Sequence, residues 1–212
     1  MPDLPRLRPA TPTDQAAVGR VAYLTGFFGE SAERYFPDPA LFADLWVRPY
    51  LEETGPASLV AEVGGQVVGY VLGASAPNVY RRALRTVVLR RVLPRWLGGR
   101  YTRPLAAGPY LLRALRFPSP HAPWDVYPAH LHLNLLPAAR GSGLGRRLLE
   151  AHLRALEAAG VPGVQLSTTR ENAAALILYH KCGFEEVAAR VTPLWTPWLG
   201  RPVEHLALAR HL

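Results

Sequence analysis

Apolar positions recur along this chain with two periods, and the switches between them mark out its elements. Leu7-Arg8-Pro9-Ala10 has the spacing of an edge strand. Thr13-Asp14 then precedes Val18, Val21, Ala22 and Thr25, three or four residues apart, which predicts a helix capped by the first two and ending at Gly26. A second helix is predicted from Pro39 to near Gly55, with Leu41, Leu45, Trp46 and Tyr50 as its buried stripe. The runs Ser58–Val63 and Gln66–Leu72 are rich in β-branched residues and flank Gly64-Gly65, a strong hairpin signal.

Residues 77–127 break this rhythm. Arginine-rich helical stretches are expected around 80–93 and 105–116, divided by Pro94, Gly98-Gly99 and Pro104. Tyr80, Leu84, Val87 and Val88 make one apolar face, on which Arg91 intrudes, and Pro118, Pro120 and Pro123 make a stiff extended exit. From Tyr127 onward the order is strand (His130–Leu136), glycine turn (140–145), helix (144–159), strand (Val164–Thr168), helix (Asn172–Lys181) and strand (Phe184–Arg190), with Glu204–Ala209 as a last strand. A hairpin followed by one βαβ unit implies an α/β mixed sheet with helices on both faces.

Composition narrows the class. With 212 residues, 49% of them apolar and 19% charged, the chain can bury a core, and the expectation is one domain, 1–212, with 77–127 as a basic helical insertion. No apolar run is long enough to span a membrane and the start lacks the order of a secretory signal, so a cytoplasmic protein is expected. Cys182 is the single cysteine, which excludes an internal disulfide framework and any zinc site needing paired thiolates; no metal is expected. The net charge of +8 is local. Residues 77–127 hold ten arginines against one acid, Asp125, while the other 161 residues are close to neutral.

The sharpest chemical signal is Arg140-Gly141-Ser142-Gly143-Leu144-Gly145, between a strand and a helix. Glycines let the backbone curl around an anion, and the free N–H groups of the first helical turn point at it, so a pyrophosphate is the natural occupant; a plain strand-to-helix turn is the bland alternative. Two familiar phosphate-binding motifs do not fit. There is no Gly-Lys-Ser/Thr, and the next strand ends without the acid that would hold a dinucleotide ribose.

Arg140, Gly143 and Gly145 match the Gln/Arg-x-x-Gly-x-Gly/Ala signature of the GNAT N-acetyltransferases, which the stretch from His130 to Glu185 resembles. Asn172, Ala175, Tyr179, Gly183 and Phe184 fall in the order of that family's later helix and strand; the 77–127 segment is longer than its usual connection. The resemblance implies a GNAT-like mixed, mostly antiparallel sheet flanked by helices, with two central strands splayed around acetyl-CoA as co-substrate and a bulge at Asn134–Leu136. It further implies that backbone groups of Leu133 and Leu135 pair with the pantetheine arm and polarise the thioester carbonyl. On the same basis Arg140, Gly141, Ser142, Gly143, Leu144 and Gly145 wrap the pyrophosphate, and Asn172 holds the arm from the other side.

In His130-Leu131-His132-Leu133-Asn134 a period of two puts His130, His132 and Asn134 on one face. Histidine titrates near neutrality and an arriving ammonium must lose a proton, so both are candidate bases; hydrogen-bonded strand residues are the bland alternative. The pair resembles the same strand of the serotonin N-acetyltransferases, in which two histidines are associated with proton removal. Tyr179 matches the tyrosine with which many GNAT members protonate the leaving thiolate, packing against the cofactor being its other reading. Cys182 reads as a small buried thiol.

The expected activity is direct acetyl transfer to the amine of a small molecule or peptide. The alternatives are a catalytically silent acyl-CoA-binding domain, a homodimerisation module among its roles, and a nucleic-acid or anionic-surface binder acting through the insertion. The prolines and apolar positions of the insertion suit a lid on the acceptor side better than a nucleic-acid reader, and no nucleic-acid partner is expected.

Overall fold

The structure, a computed structural model, describes residues 4–52 and 57–212. Its centre is a seven-stranded sheet in the order β1-β2-β3-β4-β5-β7-β6. The strands are β1 (Arg6–Pro9), β2 (Leu59–Val63), β3 (Gln66–Ala74), β4 (Ala129–Leu135), β5 (Gly163–Thr169), β6 (Glu185–Thr192) and β7 (Val203–His211). Only β4 and β5 run parallel. Gly64 and Gly65 close the β2–β3 hairpin with φ of 57° and 75°, the left-handed pair a two-residue turn requires.

Alternation along the strands feeds two cores. On one face Tyr70, Leu72 and Ala74 meet α1 (Gln15–Thr25), α2 (Pro39–Trp46) and α3 (Arg48–Glu52) in an aromatic-rich cluster. On the other, Val71, Leu131, Val164 and Leu206 meet α7 (Leu144–Ala158) and α8 (Ala173–Lys181).

The predicted second helix is two helices. Pro49 has no N–H to give the carbonyl of Leu45, so the chain breaks at Val47 and restarts as α3; the predicted end near Gly55 lies outside the described residues. Asp14 does not cap α1 with its side chain. Its carboxylate takes the Thr11 N–H and both terminal nitrogens of Arg8, which hold it down at a pKa of about 2. Nor does Pro94 divide the insertion as expected. Helix α4 (Pro77–Val87) runs through a widened π turn at Val88–Val92, where the Leu93 N–H reaches back to Val88, into α5 (Leu93–Leu97), which carries Pro94 in its first turn. After a loop, α6 (Gly108–Arg116) follows as predicted, and a short α9 (Thr196–Leu199) sits between β6 and β7. Among the described residues no helix is long and apolar enough to cross a membrane.

Candidate functional site

Strand β4 stays paired to β3 along its length, from Ala74↔His130 to Gly69↔Leu135, but pairs with β5 only at Ala129↔Val164 and His130↔Gln165. Beyond His130 the two strands part. The expected bulge at Asn134–Leu136 is absent: the β3–β4 register is unbroken there, so no extra residue is needed and the gap opens by divergence of β5. The Leu136 N–H bonds to Val68 on β3; by the alternation of an antiparallel ladder the backbone groups of Leu131, Leu133 and Leu135 turn the other way, into the gap.

The gap continues into a groove of about 340 Å³ whose lining includes Leu133, Leu135, Gly141, Gly143, Gly145 and Tyr179. Gly141 and Gly143 both have φ of 77°, and a Cβ at either would meet nothing within 4 Å, so the turn is an open cradle at the N-terminus of α7. Gly145 serves differently: a Cβ there would lie 3.1 Å from Leu135, so its absence lets the first turn of α7 press on β4. Arg140 donates from its guanidinium to the carbonyls of Leu135 (3.1 Å) and Gly29 (2.8 Å), and from its backbone N–H to the Pro137 carbonyl, so it braces the turn. Ser142 bonds within the turn, to the Ala139 carbonyl, and Leu144 is buried under α7. Asn172 stands before the first turn of α8 at the groove's far wall. Tyr179 is buried beside Phe184, and burial raises its phenol well above the ordinary value, so it carries its proton at neutral pH. Cys182 is buried too, which pushes its thiol upward.

His130, His132 and Asn134 share one face of β4, the face toward α1 and α3. Asn134 bonds Thr25 Oγ1 at 2.6 Å. His130 shares a 2.9 Å hydrogen bond with Tyr50 Oη, and its ring lies among Tyr50, Tyr80 and Trp124. Desolvation, with a smaller contribution from His132, lowers its pKa to about 3. His132 is crowded by protein yet exposed as a residue, and it lines neither the groove nor the recess described below; the crowding lowers its pKa toward about 4, and its exposure moderates that pull. Neither histidine lines the groove itself.

On that same face a second recess, about 200 Å³, meets the groove at Phe28 and Asn172. Its wall includes Tyr110, Ser119, Thr169, Trp195 and His205, and among the described residues no Asp, Glu, Lys or Arg lines it. Gln165 of β5 helps to shape it by fixing the insertion's exit, accepting from the Ala122 N–H and donating to the Ala122 and Tyr127 carbonyls. The insertion thus reaches the recess through Tyr110 and Ser119, whereas Arg81, Arg82 and Arg85 are exposed on α4 and do not line it. The sequence reading missed Thr169, Trp195 and His205. One signal was available: in Val203-Glu204-His205-Leu206, His205 sits at an inward position of an otherwise apolar strand.

Residues 119–186 match the family model described as acetyltransferase (GNAT) domain. Among solved structures, one described as SsHAT is 29% identical, with a TM-score of 0.69 and 98% of each chain covered. The ribosomal-protein-S18-alanine N-acetyltransferase from Escherichia coli is 18% identical, with a TM-score of 0.58, over 98% of this chain and 94% of that one. The ribosomal-protein-alanine N-acetyltransferase from Brucella melitensis is 20% identical, with a TM-score of 0.59, over 98% and 99%. The last two likenesses are of fold alone.

Proposed function

We propose that this protein transfers an acetyl group directly from acetyl-CoA to an acceptor amine, a reading supported by the match of residues 119–186 to the acetyltransferase (GNAT) domain model. The observation that carries the reading is the gap between β4 and β5, which joins a glycine-cradled groove on one side to an uncharged recess on the other. The residues present fit the co-substrate: an open cradle at Gly141 and Gly143 and the first-turn N–H groups of α7 suit a pyrophosphate, and the backbone of Leu133 and Leu135 suits an amide-bearing arm.

Acetyl-CoA supplies the activated acyl group; the chain does the rest. Backbone donors of β4 facing the gap stabilise negative charge developing on the acyl oxygen, an effect of about 3 kcal/mol for one well-placed donor. Tyr179, protonated at working pH, holds the proton that the departing thiolate takes. Asn172, at the junction of groove and recess, holds the arm opposite β4. The amine approaches from the recess face, where His130 and His132 stand neutral. His132, exposed as a residue, is the better placed to receive the ammonium proton, and His130, held by Tyr50, positions it.

Calorimetry with acetyl-CoA tests this. The parent protein is expected to bind in the micromolar range, and Gly143→Val, which fills the cradle at a left-handed position, to lose at least 100-fold in affinity while still folding. Equal affinity in the two proteins would refute the assignment.

A further inference from the structure

Two polar atoms in the recess have no partner in the fold. Thr169 on β5 and His205 on β7 are direct cross-strand partners, both on the face toward the recess, and are 6% and 3% exposed. Thr169 Oγ1 and His205 Nε2 are both buried without a hydrogen bond. A buried polar atom left unpaired costs about 1–3 kcal/mol, so two side by side are a standing penalty that hydrophobic residues of the same shape would avoid. Their neighbours do not relieve it. His205 Nδ1 has only a long 3.4 Å contact with Ser119 Oγ, and Ser167 spends its hydroxyl on the Pro120 carbonyl.

We propose that Thr169 and His205 are the specificity anchor for the acceptor, and that the acceptor is a small primary amine carrying an uncharged oxygen, a hydroxyl or a carbonyl. In the tautomer in which Ser119 donates to Nδ1, Nε2 carries the hydrogen and presents a donor; in the other it accepts from a ligand hydroxyl. The threonine hydroxyl beside it gives or accepts as the ligand requires. One oxygen atom can therefore satisfy both orphans. The rest of the recess fits such a molecule. Phe28, Tyr110 and Trp195 offer apolar ring surface, the volume holds on the order of seven water-sized groups, and among the described residues no carboxylate lines the recess to receive a second ammonium. Desolvation keeps His205 neutral, which favours an uncharged oxygen over a carboxylate. This inference rests on the acetyltransferase reading and adds the class of its acceptor.

The test measures acetyl transfer at saturating acetyl-CoA for matched amines differing only in the oxygen-bearing position: ethanolamine against propylamine, and tyramine against phenethylamine. The parent is expected to favour the oxygen-bearing member at least tenfold in kcat/KM. Thr169→Val, which keeps the shape and deletes one orphan, should bring the ratio near unity through KM, with acetyl-CoA affinity and thermal stability undiminished; Thr169→Ser should restore it. His205→Gln gives an independent second variant. Should acetyl-CoA fail to bind, the acetyltransferase reading falls first. Binding and turnover with equal rates within each pair, or a Thr169→Val protein with the parental ratio, would overturn the anchor alone. If acetyl-CoA binds but no amine is acetylated, the ring nitrogen resonances of His205 decide: they must move with the oxygen-bearing members, and immobility overturns the proposal.

Discussion

Residues 129–184 and the insertion at 77–127 both carry amphipathic helices, yet these are held in different ways. In the first region every large apolar side chain of α7 has a sheet to meet: Leu148, Leu149 and Leu153 are buried against β-strand residues such as Val71 and Leu131. In the second, Leu97, Leu105 and Leu115 are 84%, 77% and 82% exposed, and an apolar groove of about 510 Å³ runs between α5 and α6 over Leu41 and Leu45. Polar contacts with α2 do much to fasten the insertion. Asp38 accepts the Arg103 N–H, and buried Asp44 gathers Tyr101 Oη at 2.7 Å, Arg95 at 3.4 Å and Arg48 and Gln15 at 2.9 Å. The same apolar period therefore gives a fully covered face where a sheet lies behind it, and in the insertion a face covered only in part, at Ala83, Val87 and Tyr110, with polar anchors alongside.

If the 129–184 region is the chemical half, its polar groups should affect rate more than stability. Tyr179→Phe removes only the hydroxyl and is expected to lower kcat about 100-fold, within the range for a positioned proton donor, while acetyl-CoA affinity changes less than threefold. Stopped assays with calorimetry on the same preparation check it; a parental kcat would reduce Tyr179 to packing against Phe184.

The insertion's anchor should show the reverse. Asp44→Ala leaves Arg48, Arg95 and Tyr101 without their shared acceptor and is expected to cost about 2–3 kcal/mol, the range for hydrogen bonds to a charged group. That corresponds to a fall in Tm of roughly 4–12 °C for a chain of this size. Acetyl-CoA affinity, read at a temperature where the variant is folded, should be unchanged. Loss of binding without loss of Tm would mean that the two regions are coupled more closely than their contacts show.

Much of this division is legible in the sequence, and the exceptions have identifiable causes. The strand, glycine turn and helix at 130–158 are specified locally, because φ-positive glycines and a strict apolar period leave the backbone little choice. The break at Val47 is not predicted because the apolar stripe Leu41, Leu45, Trp46 and Tyr50 keeps its helical spacing across Pro49. The helix through Pro94 was missed because a π turn, set by the wider packing, can absorb a proline that a regular turn rejects. The recess was not legible. It joins Tyr110, Ser119, Thr169, Trp195 and His205 from segments nearly a hundred residues apart, and such long-range proximity leaves no period to read. The histidines of β4 were legible as a pair on one face, but their protonation was not, since it depends on Tyr50, Tyr80 and Trp124 closing around His130 and on the crowding of His132 beside Tyr50.

That closure makes an acid-lability prediction. His130 and His132 have pKa values lowered to about 3 and about 4, and burial also lowers those of His152 and His205. Above pH 6.5 these rings are neutral whether the chain is folded or unfolded, so they contribute nothing to pH dependence. Below it the unfolded chain takes up protons that the folded chain refuses, and stability falls as the pH drops from about 6.5 toward 4. Denaturant midpoints across that window should decline, and His130→Asn should flatten the slope. Equal slopes would place the protonation elsewhere. An activity limb near pH 6.5 that the histidine variants leave untouched belongs to the acceptor amine or another group.

The smallest expected effect bears most directly on the contrast between the two regions. Leu149→Ala, in α7, removes side-chain atoms from a fully buried site and should cost about 2–5 kcal/mol. Leu97→Gln and Leu115→Gln change side chains that already face solvent and should each stay within about 0.5 kcal/mol of the parent. Denaturant unfolding of the three variants, with the transition followed by far-ultraviolet circular dichroism, measures both ends of the range on one scale. If the exposed leucines prove as costly as Leu149, their surface is covered in solution, and concentration-dependent unfolding of the parent would identify the cover as a second copy. That arrangement would have to bring two arginine-rich segments of about nine net charges each together. Added salt would then raise the parent's midpoint, whereas for freely exposed leucines the two variants and the parent should shift with salt in parallel.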